Sequence, residues 1–256
     1  MTTKLPIDHL SASSFTLHMK CPRQWAEKYL HGNVGAPSSS LIIGSAVHKA
    51  NEIAFKGEVV FPAKVWEQII EESGGYGAIN WGRDTPEKAY DLFQEMSLAY
   101  WDTVGKFLTP VALEREIEFK IEGIDLPIIG FIDLELEHKI VDYKTTAWYN
   151  SKQVQPNQEW RVQTSIYQLA RRKPAEVHVI TRSKTDPVVI PDSDKHKLYF
   201  GLVDEDQLHN TLQYEYQRML YHMERYGMDY DWPGNVLHEY AYKYCPLMAD
   251  GRCCRL

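Results

Sequence analysis

The feature that most constrains this chain is a change of hydrophobic period at Pro110. Before it, apolar residues recur at helical spacing. After it, Val111, Leu113, Ile117, Phe119 and Ile121 alternate with Glu114, Glu116, Glu118, Lys120 and Glu122, the period of a half-buried strand. A chain that switches period in this way must pack helices against a sheet.

Helix signals fill the first hundred residues. Ser11, Ser13 and Ser14 are N-cap candidates ahead of Phe15, and Pro22, just after Cys21, suits the first turn of a helix through Trp25 and Tyr29. Those three aromatics read as helix packing rather than a base-stacking platform. Further helices are expected over residues 41–55, 65–72 and 86–107, with 32–40 and 74–85 as loops. Downstream, strands are expected over 111–122, 128–137 and 139–145, the last two joined as a hairpin at Glu137-His138-Lys139. A helix at 158–172, β-rich stretches at 177–180 and 188–190, and a helix at 205–226 follow. The expected class is α/β, a mixed central sheet flanked by helices. The 256 residues read as one domain, with a helical cap at about 11–107, a core at about 110–226 and a cysteine-bearing tail at 227–256.

Composition closes several alternatives. With 44% hydrophobic and 25% charged residues, disorder and collagen-like repeats are excluded. Apolar runs such as that at 41–43 are far short of the ~18 residues of a membrane span, and no apolar signal core follows the N-terminus, so a cytoplasmic protein without membrane partners is expected. A net charge of −7 argues against a non-specific polyanion coat, but not against a locally charged or metal-filled site. Basic side chains able to grip phosphates are scattered: Lys20, Arg23, Lys28, Lys152, Arg161 and the run Arg171-Arg172-Lys173.

The candidate chemistry lies on the expected hairpin, where Gly130-Phe-Ile-Asp133 and Ile140-Val-Asp142-Tyr-Lys144 bring two acids and a lysine to neighbouring strands. Period-two geometry puts Asp142 and Lys144 on one face. Converging carboxylates are costly unless a cation neutralises them, and hard oxygen ligands select Mg²⁺ or Mn²⁺. The lysine could orient a water and counter charge developing on a phosphate. Upstream, His48 in Gly44-Ser-Ala-Val-His48 could supply an imidazole ligand, and Glu52, one turn on, reads as a local partner of Lys49 or Lys56. Gln163 and Tyr167 share a helix face and could contact substrate or buttress the lysine; Glu116 ranks low as a further carboxylate near the metal.

In this order, these residues resemble the RecB-type branch of the PD-(D/E)XK nuclease superfamily, which includes the nuclease domains of RecB and AddB and CRISPR-associated relatives. Ser11 to Ser14 and Cys21-Pro-Arg-Gln-Trp25 with Tyr29 look like the family's opening, Gly44 to His48 like its histidine motif, and Gly130 to Asp133 like its first acidic motif. Asp142-Tyr-Lys144 looks like D/E-X-K, and Gln163 to Tyr167 like QxxxY. The resemblance implies a restriction-endonuclease-like core and metal-dependent hydrolysis of DNA. His48, Asp133 and Asp142 would bind Mg²⁺ or Mn²⁺, Tyr143 would add its backbone carbonyl, Asp133, Asp142 and Lys144 would form the catalytic set, and Gln163 and Tyr167 would support it. It further implies exonuclease action on single-stranded DNA ends, beside recombination, repair or CRISPR machinery or for a phage. A catalytically silent DNA-binding scaffold on the same fold and a site-specific endonuclease are the rival readings.

Many such nucleases hold a [4Fe–4S] cluster by one early cysteine and a late C-x₂-C-x₅-C set. Cys21, Cys245 and Cys254 fit three positions, Met248 occupies the second late one, and Cys253 would have to serve as the fourth ligand. Zinc on the same thiolates is the alternative. Either would clip the tail to the first helices and close a long loop.

Overall fold

The computed structural model describes residues 3–146, 158–182, 188–189, 199–200, 204–229 and 232–234. Helix α1 (Ala12–Lys20) opens with a capping box: Ser11 Oγ accepts from the Ser14 N–H at 3.1 Å, and Ser14 Oγ accepts from the Ser11 N–H at 2.8 Å. Extended Cys21 breaks the chain, and Pro22 starts α2 (Pro22–Tyr29). Helices α3 (Ser39–Phe55), α4 (Pro62–Glu72) and α5 (Pro86–Thr103) follow. Their starts lie at or upstream of the expected ones because Ser38 and Thr85 cap α3 and α5 and Pro62 seeds α4. Helix α5 stops at Thr103, short of the expected 107, and a separate 3₁₀ turn covers Gly105–Phe107.

The strands are β1 (Ala112–Phe119), β2 (Ile128–Glu135), β3 (Ile140–Thr145), β4 (Ala175–Ile180), β5 (Val188–Val189) and β6 (Tyr199–Phe200), with α6 (Gln158–Arg171) between β3 and β4 and α7 (Glu205–Tyr226) after β6. The sheet runs β1-β2-β3-β4-β5, and β6 also pairs with β4. Pairing is antiparallel except for β3 with β4, whose parallel register needs the crossover that α6 supplies. The expected α/β class with a mixed, helix-flanked sheet is therefore present.

The early helices are divided between two cores. Phe15 and Trp25 of α1 and α2 pack with Ile132, Ile140, Ile166 of α6 and Leu212 and Tyr216 of α7. Helices α3, α4 and α5 build a second core, including Ile43, Trp66 and Phe93, with Val141 and Tyr143. Alternation along β3 does the sorting: Ile140 points into one core, Val141 and Tyr143 into the other.

The pairing of β2 with β3 is short. Seven registered pairs join β1 to β2, but only Leu134 with Val141 and Glu135 with Ile140 join β2 to β3. The next register position would set Asp133 directly against Asp142, and opposed like charges destabilise a ladder. The strands fork there, and the fork holds the candidate site.

Chain direction after α7 returns the polypeptide to α2. Trp232 is fully buried and stacks on Trp25 with centroids 5.4 Å apart, and the Arg23 N–H donates to the Pro233 carbonyl at 3.2 Å. Beneath lies a buried polar relay. His18 Nδ1 donates to Glu215 Oε1 at 2.5 Å, leaving His18 Nε2 to accept from His222 Nδ1 at 3.0 Å, while Arg218 pairs with the second Glu215 oxygen at 2.7 Å. Burial holds both imidazoles below their ordinary range, His222 at about 4. The unfolded chain takes up a proton near pH 6.5 that the native His222 refuses until about pH 4. Stability from this group is thus complete above pH 6.5 and declines as pH falls below it. Between pH 7 and pH 5 this group's share should fall by about 1–2 kcal/mol, read as the change in the urea-stability difference between wild type and His222→Gln over that window, a difference that cancels titrating groups elsewhere in the chain.

Candidate active site

Three carboxylates lie in one row across the sheet. Glu114 faces Asp133 by the register of its neighbours, Leu113 with Leu134 and Arg115 with Ile132, and Asp142 would be next across β3. Glu114 adopts φ 43°, a left-handed backbone rare for a residue with a side chain. Helix α3 brings His48 to the same point from one side of the sheet, where His48 Nδ1 lies 3.3 Å from Asp133 Oδ1. His48, Glu114 and Asp133 offer ligand atoms all within 4.8 Å of one another.

The approach of α3 depends on a glycine. A Cβ on Gly44 would sit 3.0 Å from Thr145 Oγ1 of β3, so the helix backbone rests almost on the strand. His48, one turn later, then packs edge-on to the Tyr143 ring, with centroids 5.4 Å apart. The Tyr143 N–H donates to Asp133 Oδ2 at 2.6 Å, substituting a side chain for the missing ladder bond. Along β3 the N–H of Ile140 points toward the β4 side, donating to Pro174. Tyr143, at the alternate positions, therefore turns both its N–H and its carbonyl toward the fork.

Lys144 is held from the other face. Its Nζ lies 2.6 Å from Asp142 Oδ2 and donates to Gln163 Oε1 at 2.8 Å, and Gln163 Nε2 donates to the Tyr167 hydroxyl at 2.8 Å. A second glycine makes room: a Cβ on Gly130 would meet Tyr167 Cε1 at 2.9 Å. The motif glycines thus admit α3 on one side and the Tyr167 ring on the other.

Burial and mutual charge set the protonation states. Burial alone would depress His48, but Asp133 beside it pushes the imidazole up to about 9. Burial opposes ionisation of Asp133 too, yet His48 and Lys144 hold it below the usual carboxylate range. Asp142 is pushed up to about 6, by burial and then by Asp133, against the pull of Lys144. Glu114 is pushed up to about 7 by burial and by Asp133. Burial works against a charged Lys144, but Asp142 and Asp133 more than offset it. A site with three acids and one imidazole offers hard oxygens plus one nitrogen, the donor set of Mg²⁺ or Mn²⁺. Buried Asp142 Oδ2 meets the Lys144 ammonium at 2.6 Å, a distance at which ion pair and charge-assisted hydrogen bond coincide. The residues present fit a divalent cation.

The structure thus brings together His48, Asp133, Asp142, Tyr143, Lys144, Gln163 and Tyr167, the seven named from sequence, although Asp142 stands with Lys144 rather than in the tight His48–Glu114–Asp133 group. Glu114 is not among the residues the sequence singles out, and Glu116, ranked low as a further carboxylate, registers with Phe131, outside the group. The signal was the broken alternation at Glu114-Arg115, where an apolar residue was due. Glu52 makes the local pair expected of it, with Lys49 at 2.9 Å and with Lys56. In the basic run, Arg171 and Lys173 clamp buried Glu135 at 2.8 and 2.7 Å, and Arg172 pairs with Glu205. Lys20 likewise pairs with Glu159 at 3.2 Å. Lys152, Cys245, Cys253, Cys254 and Met248 lie outside the described residues, whereas Cys21 is described, buried and free.

The comparisons agree with this geometry. The sequence pattern of the PD-(D/E)XK nuclease superfamily matches residues 9–246, and the chain belongs to that superfamily. A crystal structure from Eubacterium rectale, named a "Putative exonuclease", is 14% identical and superposes with a TM-score of 0.60 over 97% of this chain and 90% of its own, a likeness of fold. A second, "SSO0001", 15% identical over 83% of each chain, reaches only 0.38. No curated protein matches. Among the described residues no helix is long and apolar enough to cross a membrane.

Replacing Gly130 with alanine should displace the Tyr167 ring and loosen Gln163 and Lys144 together. The expected cost is about 1–3 kcal/mol, read from urea unfolding, whereas Tyr167→Phe, which keeps the ring and loses only the hydroxyl, should cost less.

Proposed function

We propose that the protein is a Mg²⁺- or Mn²⁺-dependent deoxyribonuclease of the RecB type, most at home on single-stranded DNA ends as an exonuclease. The observation that carries the reading is the fork itself: three carboxylates and His48 on one side of Lys144, and a glutamine–tyrosine brace on the other. A divalent cation held by His48, Asp133, Glu114 and Asp142, with the Tyr143 carbonyl, would polarise the phosphodiester and acidify a water. Lys144 faces the phosphate as a fixed positive charge, which compensates charge growing on it during in-line attack. Gln163 and Tyr167 keep the ammonium from swinging away, so its position is set before substrate arrives. The scaffold reading leaves this buried, charged arrangement without a use.

The reading extends to the whole chain as one nuclease domain, residues 1–256, with helices over 11–107 as a cap and a tail clipped to Cys21. The return of Trp232 and Pro233 to α2 supports that clip. Cys21, Cys245, Cys253 and Cys254 are proposed to share a [4Fe–4S] cluster, with zinc as the alternative; absorbance near 400 nm with iron and zinc analysis of anaerobic protein tests it, and a colourless, metal-free, folded protein would sink it. The protein is proposed to act in the cytoplasm beside recombination, repair or CRISPR proteins.

The decisive assay uses end-labelled linear single-stranded DNA with Mn²⁺. Wild type should degrade it, chelation with EDTA should stop it, and Asp142→Ala and Lys144→Ala should each lose activity by at least about a hundredfold. Cleavage of circular single strands as fast as linear ones would replace the exonuclease by an endonuclease, and no cleavage would favour the scaffold. In the same assay Glu114→Gln should raise the Mg²⁺ needed for half-maximal rate by about tenfold or more, the size of effect that even outer-sphere partners exert on a metal.

A further inference from the structure

Phe131 is out of keeping with its own side of β2. Asp133 and Glu135, at the alternate positions beyond it, are buried although charged, yet the apolar Phe131 is 52% exposed. A lone exposed apolar side chain is ordinary on a protein surface; its position is what sets this one apart. Phe131 stands two residues from Asp133 on the same strand, hence on the same face and about 7 Å away along it. Its cross-strand partner is Glu116, which gives it no apolar cover.

The ring lines a cleft of about 440 Å³ that runs from the candidate site between α1 and α6. Lys144 and Gln163 line it too, Trp160 adds a second aromatic, and the hydroxyl residues Ser13 and Thr16 come from α1. A cleft that joins the Lys144 ammonium and the cation-binding acids beside it to aromatic and hydroxyl walls, with Glu159 the acid on its lining, suits a chain of phosphates bearing flat apolar groups once a divalent cation fills the site. A base inside a duplex has both faces covered by its neighbours, so an internal base reaches such a ring only when unpaired and unstacked.

We propose that Phe131 is the stacking platform that admits unpaired nucleotides to this site: the base adjoining the scissile phosphate lies on its ring while the phosphate sits at Lys144. The proposal rests on the nuclease reading and adds to it the side chain that enforces single-strandedness. Because every base has a π-face, the platform selects for strandedness and not for sequence.

The test pairs binding with cleavage. Single-stranded oligonucleotides carrying 2-aminopurine near either end are titrated with wild type, Phe131→Ala and Phe131→Trp, with Ca²⁺ in place of Mg²⁺. Stacking should quench the probe with wild type, Phe131→Ala should lose the quench and bind about tenfold more weakly, and Phe131→Trp should restore both. With Mn²⁺, Phe131→Ala should raise KM for linear single strands about tenfold while kcat changes much less. A Phe131→Ala protein within twofold of wild type in both quench and KM overturns the proposal even if wild type cuts DNA. A Phe131-dependent quench by a wild type that cuts nothing upholds the platform and overturns the nuclease reading. Absence of both quench and cleavage in wild type overturns both.

Discussion

Mutual repulsion of carboxylates in one row of a sheet governs this structure. Glu114, Asp133 and Asp142 fall in register across three strands, and a continuous ladder would have pressed them together with water excluded. The β2–β3 ladder ends instead after two pairs, and the freed Tyr143 N–H turns to Asp133. The opening needs cationic and hydrogen-bonding partners to be stable, and these arrive from both faces: His48 on α3, and Lys144 braced by Gln163 on α6. Gly44 and Gly130 are then consequences of how close those partners come.

Much of this was legible from residue order alone. The period change at Pro110, the strand containing Asp133, the Asp142-Tyr-Lys144 strand and the helix carrying Gln163 and Tyr167 all fold where local pattern placed them, because each is a short, strongly patterned segment with a clear stop. Less legible was what depends on three-dimensional register. Glu114 joins His48 and Asp133 through cross-strand pairing and a left-handed backbone, and neither is written in alternation. Position along the chain also left unread what Arg171 and Lys173 meet, because the buried acid they clamp, Glu135, is delivered by a strand more than thirty residues earlier.

A second buried polar system sits far along the chain from the first. His18, Glu215, Arg218 and His222 are tied into one hydrogen-bonded chain beneath Trp25 and Trp232, where α1, α7 and the segment after it meet. No described carboxylate remains there for a cation, since both Glu215 oxygens are already engaged. It therefore behaves as a structural joint: a satisfied network fixes how the helices meet, where an apolar contact would let them slide.

The candidate site draws on two separate cores, and this bears on how the protein is made. His48 reaches the fork on a helix of the α3–α5 core, while the brace on Lys144 belongs to α6, more than a hundred residues later, in the core of α1, α6 and α7. A nascent chain emerging in order presents α3 long before α6 exists to anchor the lysine, so the constellation closes only once both cores are in place. A copy that stops short of α6 carries His48 and the acids without the brace on Lys144.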